Sequence, residues 1–108
     1  MKTKKYIARK GLFGVTLFYD TQENKVGEGR PIGLLEKIEY YDAHGNKRGY
    51  SEIRPLGIRQ YYDANGNKTG TSGPGMLGTV IYYDNNGRQI GVSEPTILEG
   101  FTYYEIDS

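Results

Sequence analysis

The stretch YYDANGNKTGTS at residues 61–72 recurs almost letter for letter as YYDAHGNKRGYS at 40–51 and as YYDNNGRQIGVS at 82–93. A period of this kind constrains the fold more than any bulk property, because every copy must solve the same local folding problem and then pack against its neighbours. The register is carried by the acid after an aromatic pair, at Asp20, Asp42, Asp63, Asp84 and Glu105, with spacings of 22, 21, 21 and 21 residues. Three positions after the acid stand Gly45, Gly66 and Gly87, with Glu23 in the first copy. Seven positions after it stand Gly27, Gly49, Gly70 and Gly91, and two further on Gly29, Ser51, Ser72 and Ser93. Seven positions before the acid the residue is always apolar: Phe13, Leu35, Leu56, Leu77 and Leu98.

The D-x-x-G core reads as a turn. Asp favours the first position of a type I turn, and Gly supplies the positive φ of the residue that closes it, a common hairpin loop. On either side lie short stretches rich in Tyr, Ile, Val and Thr, which suit a pleated surface, and no segment has a helical period. All four prolines fall in the connections between hairpins, where a missing N–H marks a corner or an edge segment. The fold class is therefore all-β: about ten short strands in antiparallel hairpins with a 21-residue repeat, forming a closed barrel or ring or an open meander. One domain is expected, divided into a half-repeat at 1–13, full repeats at 14–36, 37–56, 57–77 and 78–98, and a half-repeat at 99–108.

The two ends read as complementary halves of one hairpin, residues 2–8 being a returning strand and 100–105 an outgoing one. Unpaired edges invite association, so the halves should meet, within one chain as a barrel or between chains as an oligomer. Pairing the residue before each Asp with the second residue after the turn Gly predicts one face carrying Phe18, Val26, Ile38, Tyr40, Tyr50, Tyr61, Val80, Tyr82, Ile90, Val92, Phe101 and Tyr103. That face is the candidate core, thin as a chain of 108 residues requires, and capped by the recurring Leu of the connections. The opposite face collects Tyr19, Tyr41, Tyr62, Tyr83 and Tyr104, with Lys4, Lys25, Lys47, Lys68 and Gln89 and the glycine column beside them. Tyrosines there can cover bare glycine backbone, or present a platform to a sugar, a planar ligand or a protein.

Little in the chain points to chemistry. His44, the only histidine, sits inside a D-A-H-G turn with no partner ligand. The repeated aspartates start equivalent turns, whereas general acid–base work needs two unlike environments. The sequence DANGN at 63–67 begins like a calcium loop, but Lys68 and Pro74 stand where that loop needs Gly and Glu. Ser51, Ser72 and Ser93 have no histidine to activate them. No catalytic residue, metal site or cofactor is expected. There is no cysteine, so disulfides are excluded. A net charge of +1 with interspersed signs disfavours nucleic acid. With no apolar h-region after the basic start and no run of about 20 apolar residues, neither a signal peptide nor a membrane span is expected, and a cytoplasmic location is the default.

The Y-D-x-x-G-[NR] core at 62–67 and 83–88 resembles the YD repeats of bacterial RHS proteins, and the likeness extends over four units. The G-x-S ending at 49–51, 70–72 and 91–93 departs from that pattern. More distantly the units are similar to the choline-binding hairpin repeats of bacterial surfaces, which use tryptophan, absent here. Either resemblance implies a bacterial or phage β-hairpin repeat, without a substrate. The reading is a non-catalytic binding or assembly module acting through protein contacts, including self-association through complementary terminal strands as a homo-oligomer. The alternative is a small-ligand or glycan binder using Tyr41, Tyr62 and Tyr83 with Lys47 and Lys68.

Overall fold

The computed structural model describes residues 2–33, 36–97 and 100–106. Ten strands follow one another in the chain: β1 (Lys2–Lys10), β2 (Thr16–Asp20), β3 (Lys25–Ile32), β4 (Lys37–Asp42), β5 (Lys47–Ile53), β6 (Arg59–Asp63), β7 (Lys68–Pro74), β8 (Val80–Asp84), β9 (Gln89–Pro95) and β10 (Gly100–Ile106). Each pairs antiparallel with its neighbours in sequence, and β1 pairs with β10, so the sheet closes into a barrel. Thr3 stands opposite Glu105 and Ile7 opposite Thr102, so the two half-hairpins meet within one chain. Closure leaves no open sheet edge among the described strands, and pairing of the terminal strands with a second copy has no free ladder to use.

At one end the hairpins turn through D-x-x-G. The Asp42, Asp63 and Asp84 carbonyls accept from the N–H groups of Gly45, Gly66 and Gly87 at 3.0–3.1 Å, and these glycines have φ of 81–87°. In the first copy Glu23 takes the same left-handed position at φ 65°. The aspartate side chain locks the loop: Asp63 Oδ1 accepts from the backbone N–H of Asn65 and of Asn67, both at 2.9 Å. Those bonds, with Asn67 foremost, hold the Asp63 carboxyl below the ordinary carboxylate range, and Asp20 and Asp42 are lowered chiefly by Asn24 and Asn46.

The connections at the other end are tighter than their length suggests. Leu12–Gly14, Pro55–Gly57 and Met76–Gly78 close i→i+3 hydrogen bonds, but Phe13, Leu56 and Leu77 have φ of 56–65° and the following glycines 76–79°. Two successive left-handed residues make a type I′ turn, whose twist matches the flanking strands. Here the expectation that these apolar residues cap the core is corrected. Phe13, Leu56 and Leu77 are 95%, 91% and 92% exposed, because the first position of such a turn points its side chain out of the barrel end. Leu35 and Leu98 lie outside the described residues.

A second correction concerns the faces. Tyr41 does pair with Lys47, but Tyr40 then pairs with Gly49, leaving Arg48 as an extra residue; the same shift recurs at Lys5, Val26, Thr69 and Ile90. Such a bulge displaces the rest of the returning strand by one position and so exchanges its faces. Tyr50 and Val92, expected in the core, therefore stand on the outer wall, opposite Tyr62 and Tyr104. The glycine column, expected outside, faces inward as the partner of Phe18, Tyr40, Tyr61 and Tyr82. A side chain could not stand there: a Cβ on Gly49 or Gly70 would collide with the carbonyl oxygen of Tyr62 or Tyr83 on the next strand.

Candidate functional site: a tyrosine-lined lumen

Alternation along the strands, once the bulges are included, sends one aromatic ring inward from each outgoing strand. Phe18, Tyr40, Tyr61, Tyr82 and Tyr103 follow one another around the interior at centroid separations of 6.3, 6.1, 6.2 and 5.3 Å, and Tyr6 of β1 continues the belt 6.1 Å from Tyr103. Most neighbours are tilted, while Tyr82 and Tyr103 meet edge to face at 81°. Phe18, Tyr40, Tyr61 and Tyr82 each stand opposite a glycine of the returning strand, whereas Tyr103 stands opposite Tyr6.

The inward serines complete the arrangement. Tyr40 and Ser51 hydroxyls are 2.8 Å apart, Tyr61 and Ser72 2.9 Å, and Ser93 donates to the Tyr82 oxygen at 3.1 Å. Ser51 is fully buried, and in each pair the partners are eleven residues apart in the chain. In the first copy the serine position is Gly29, and the aromatic there is Phe18, which has no hydroxyl to satisfy. Loss of the acceptor and loss of the donor go together, as they must where an unpaired buried hydroxyl is costly. Burial pushes the phenols of Tyr40, Tyr61, Tyr82 and Tyr103 above their ordinary range, and Tyr61 is raised further by Tyr40 and Tyr82. These rings stay neutral at physiological pH and act as hydrogen-bonding surfaces.

The belt does not fill the barrel. Eight strands enclose an interior that side chains can just fill, and two more widen it. Among the described residues no hydrophobic side chain is fully buried, and a cavity of about 850 Å³ runs along the interior, lined by Tyr6, Phe18, Tyr40, Tyr61, Tyr82 and Tyr103 among others. Where a thin core was expected there is a lumen. Three of the bulge residues, Arg48, Thr69 and Ile90, line it near the D-x-x-G end and are exposed there.

One charge stands beyond the opposite end of the cavity, outside the residues that border it. The position two before each inward aromatic is Thr16, Ile38, Val80 or Phe101, but in β6 it is Arg59. Its guanidinium donates to the buried Ser51 hydroxyl at 3.0 Å and to the Glu36 carbonyl at 2.8 Å, both through the same nitrogen, Nη1. Among the described residues no carboxylate is within ion-pair distance of it.

Of the residues singled out from sequence, Tyr41, Tyr62 and Tyr83 also border the cavity, although alternation turns their rings to the outer wall, one residue on from the inward belt, and Lys47 and Lys68 do not border it. Tyr41 donates to Glu39 at 2.8 Å, Lys47 donates to the same carboxylate at 2.7 Å, and the Arg30 guanidinium sits 4.5 Å from the Tyr41 centroid. Tyr62 stacks on Tyr50 at 4.7 Å and accepts from Arg54 at 2.6 Å. Tyr83 stands opposite Thr71, and Lys68 is exposed at the start of β7. The outer row is brought together with its lysines as expected, but its polar groups are already occupied at Tyr41, Tyr62 and Lys47. The inward set of Tyr40, Tyr61 and Tyr82 with Ser51, Ser72 and Ser93 escaped sequence reasoning as a site. The signal that could have revealed it is the eleven-residue Tyr-to-Ser spacing and its paired loss at Phe18 and Gly29.

Among the described residues no group of three or more His, Asp or Glu is placed to hold a metal ion, and no helix is long and apolar enough to cross a membrane. Compared with known proteins, the chain matches no family model, no curated protein and no solved structure.

Proposed function

We propose that this protein is a non-catalytic binding module whose site is the barrel lumen, and that its ligand is a small organic molecule with an aromatic or apolar body. The observation that carries this reading is the unfilled interior. A cavity of about 850 Å³ walled by six aromatic rings leaves much apolar surface that only a guest can cover. Ligand sites of roughly 300–1,000 Å³ are lined in this way, with few polar groups fixing orientation. The Tyr–Ser pairs supply such groups.

The test fills the lumen. Ala8 and Val80 both line the cavity, and Ala8→Phe with Val80→Phe should abolish a saturable, one-to-one quench of tyrosine fluorescence by aromatic ligands while leaving the melting temperature unchanged or raised. Retained binding in the filled variant contradicts the reading.

A second reading, contact with a protein partner or with another copy, is favoured by a different observation. Leu12, Phe13, Leu56, Met76, Leu77 and Ile97 are 79–101% exposed, all in turns at the barrel end opposite the D-x-x-G loops. Mass measured across a dilution series separates the two: concentration-dependent assembly without any ligand response supports protein contact, and a monomer with saturable quenching supports the lumen.

A further inference from the structure

Resting on the lumen reading, we infer that the ligand carries a negative charge, and that Arg59, aided by Arg48, selects aromatic organic anions such as aryl carboxylates or sulfonates over neutral molecules of the same shape. Arg59 interrupts a column of uncharged residues. Its equivalents are Thr16, Ile38, Val80 and Phe101, so the barrel has no structural need of a cation at this level. Nor does the belt depend on it, because Ser51 is already paired with Tyr40 at 2.8 Å.

A half-buried guanidinium with no carboxylate within ion-pair distance among the described residues is an incomplete arrangement. It has five N–H donors in a fixed fork that matches a carboxylate or sulfonate through two parallel bonds, and among the described residues its acceptors are two neutral groups, both served by Nη1. Arg59 lies close enough to the belt to draw down the phenol pKa of Tyr40 and Tyr61 against the larger effect of burial. Among the described residues that border the cavity, the charged ones are a cation, Arg48, and an acid, Asp42. That carboxylate is committed to its turn, accepting from His44 N–H at 2.9 Å and Asn46 N–H at 3.0 Å. One cation, Arg48, thus borders the cavity, and a second, Arg59, stands beyond its other end within electrostatic reach of Tyr40 and Tyr61. An anion with an aromatic body fits both features at once; a neutral aromatic leaves the guanidinium unanswered, and a small inorganic anion leaves the rings uncovered.

Two probes with the same ring system separate charge from shape: 8-anilinonaphthalene-1-sulfonate and neutral N-phenyl-1-naphthylamine, titrated by fluorescence into the whole folded chain. The sulfonate should bind at least about tenfold more tightly, as one charge-assisted fork contact supplies. Arg59→Met should bring the two affinities to within about twofold by weakening the sulfonate alone, with Arg48→Met causing a smaller loss of the same kind. Arg59→Lys should recover part of the preference through charge without the fork. Melting temperature and the near-ultraviolet tyrosine spectrum are recorded for each variant, so that a change in folding is not read as a change in selectivity. Equal affinity for both probes in the unaltered protein, or an unchanged preference in the Arg59→Met and Arg48→Met variants, overturns the charge inference while leaving the lumen as a site. Failure of both probes to bind the unaltered protein removes the lumen reading and this inference with it.

Discussion

Tyr40 and Tyr41 are neighbours in the chain and live in opposite chemistries. Tyr40 turns inward, stands opposite Gly49, meets two other rings and shares a hydrogen bond with the buried Ser51. Tyr41 turns outward, donates to Glu39 and carries the Arg30 guanidinium on its face. The phenol pKa is raised at both, by burial in the first case and mainly by the hydrogen bond to Glu39 in the second. The repeated Tyr-Tyr pair therefore builds two walls from one residue type. Neutral contacts hold the inner wall, and charges in water hold the outer. The inner wall should be the intolerant one.

Gly49→Val or Gly70→Val tests this most severely. The new side chain would drive into the neighbouring strand's backbone, and the loss should be about 3 kcal/mol or more, seen as a collapsed urea midpoint. Wild-type stability in either variant would mean that the inner register is wrong. Next in size is Tyr61→Phe, which strands the buried Ser72 hydroxyl at an expected loss of about 1–2 kcal/mol. Adding Ser72→Gly, which copies the natural Phe18 and Gly29 pair, should return part of that loss; Tyr62→Phe, its outer neighbour, should change stability by less than about 0.5 kcal/mol. Equal effects at 61 and 62 would erase the distinction between the walls.

Acid acts on the D-x-x-G turns and the outer wall. Asp20, Asp42 and Asp63 have folded-state pKa values below their unfolded values, as do Glu28, through Arg30 and Lys25, and Glu39, through Lys47 and Tyr41. A depressed carboxyl contributes stability that is fully present above its unfolded pKa, about 4, and is lost as pH falls through the folded value. The melting temperature should hold between pH 7 and pH 5 and decline below pH 4, with Asp63→Asn lessening the decline. A flat profile down to pH 2 would contradict the bonded carboxylates. The smallest effect belongs to the apolar turns: Leu56→Asn and Leu77→Asn should lie within about 0.5 kcal/mol of the parent or above it, since Asn accepts left-handed dihedrals and the lost side chains touch almost nothing.

The hairpins, their D-x-x-G turns and the complementary ends were legible in the sequence because each rests on a local residue preference repeated in step. The faces were legible only in part. Outgoing strands carry no irregularity before the acid, so Tyr40, Tyr61 and Tyr82 were placed correctly on the inner wall. Returning strands contain one bulge residue each, at Lys5, Val26, Arg48, Thr69 and Ile90, and those five share no chemistry that announces a bulge. Tyr50 and Val92 went to the wrong wall for that reason, and the inward glycines and serines with them. The exposed turn leucines were misplaced because an apolar column suggests a core. Here the column follows turn position, with Gly14, Gly57 and Gly78 completing each left-handed pair.

The central claim is that one chain closes on itself around a lumen, and the seam between β1 and β10 is where it can be tested. The chain has no cysteine, so Ile7→Cys with Thr102→Cys places a single pair at directly opposed positions across that seam. Mild oxidation should give a monomeric, internally crosslinked product in high yield at all protein concentrations, with an unchanged tyrosine circular dichroism spectrum. Disulfide-linked dimers and ladders that grow with concentration would show that the terminal strands meet between chains, and would contradict the closed barrel.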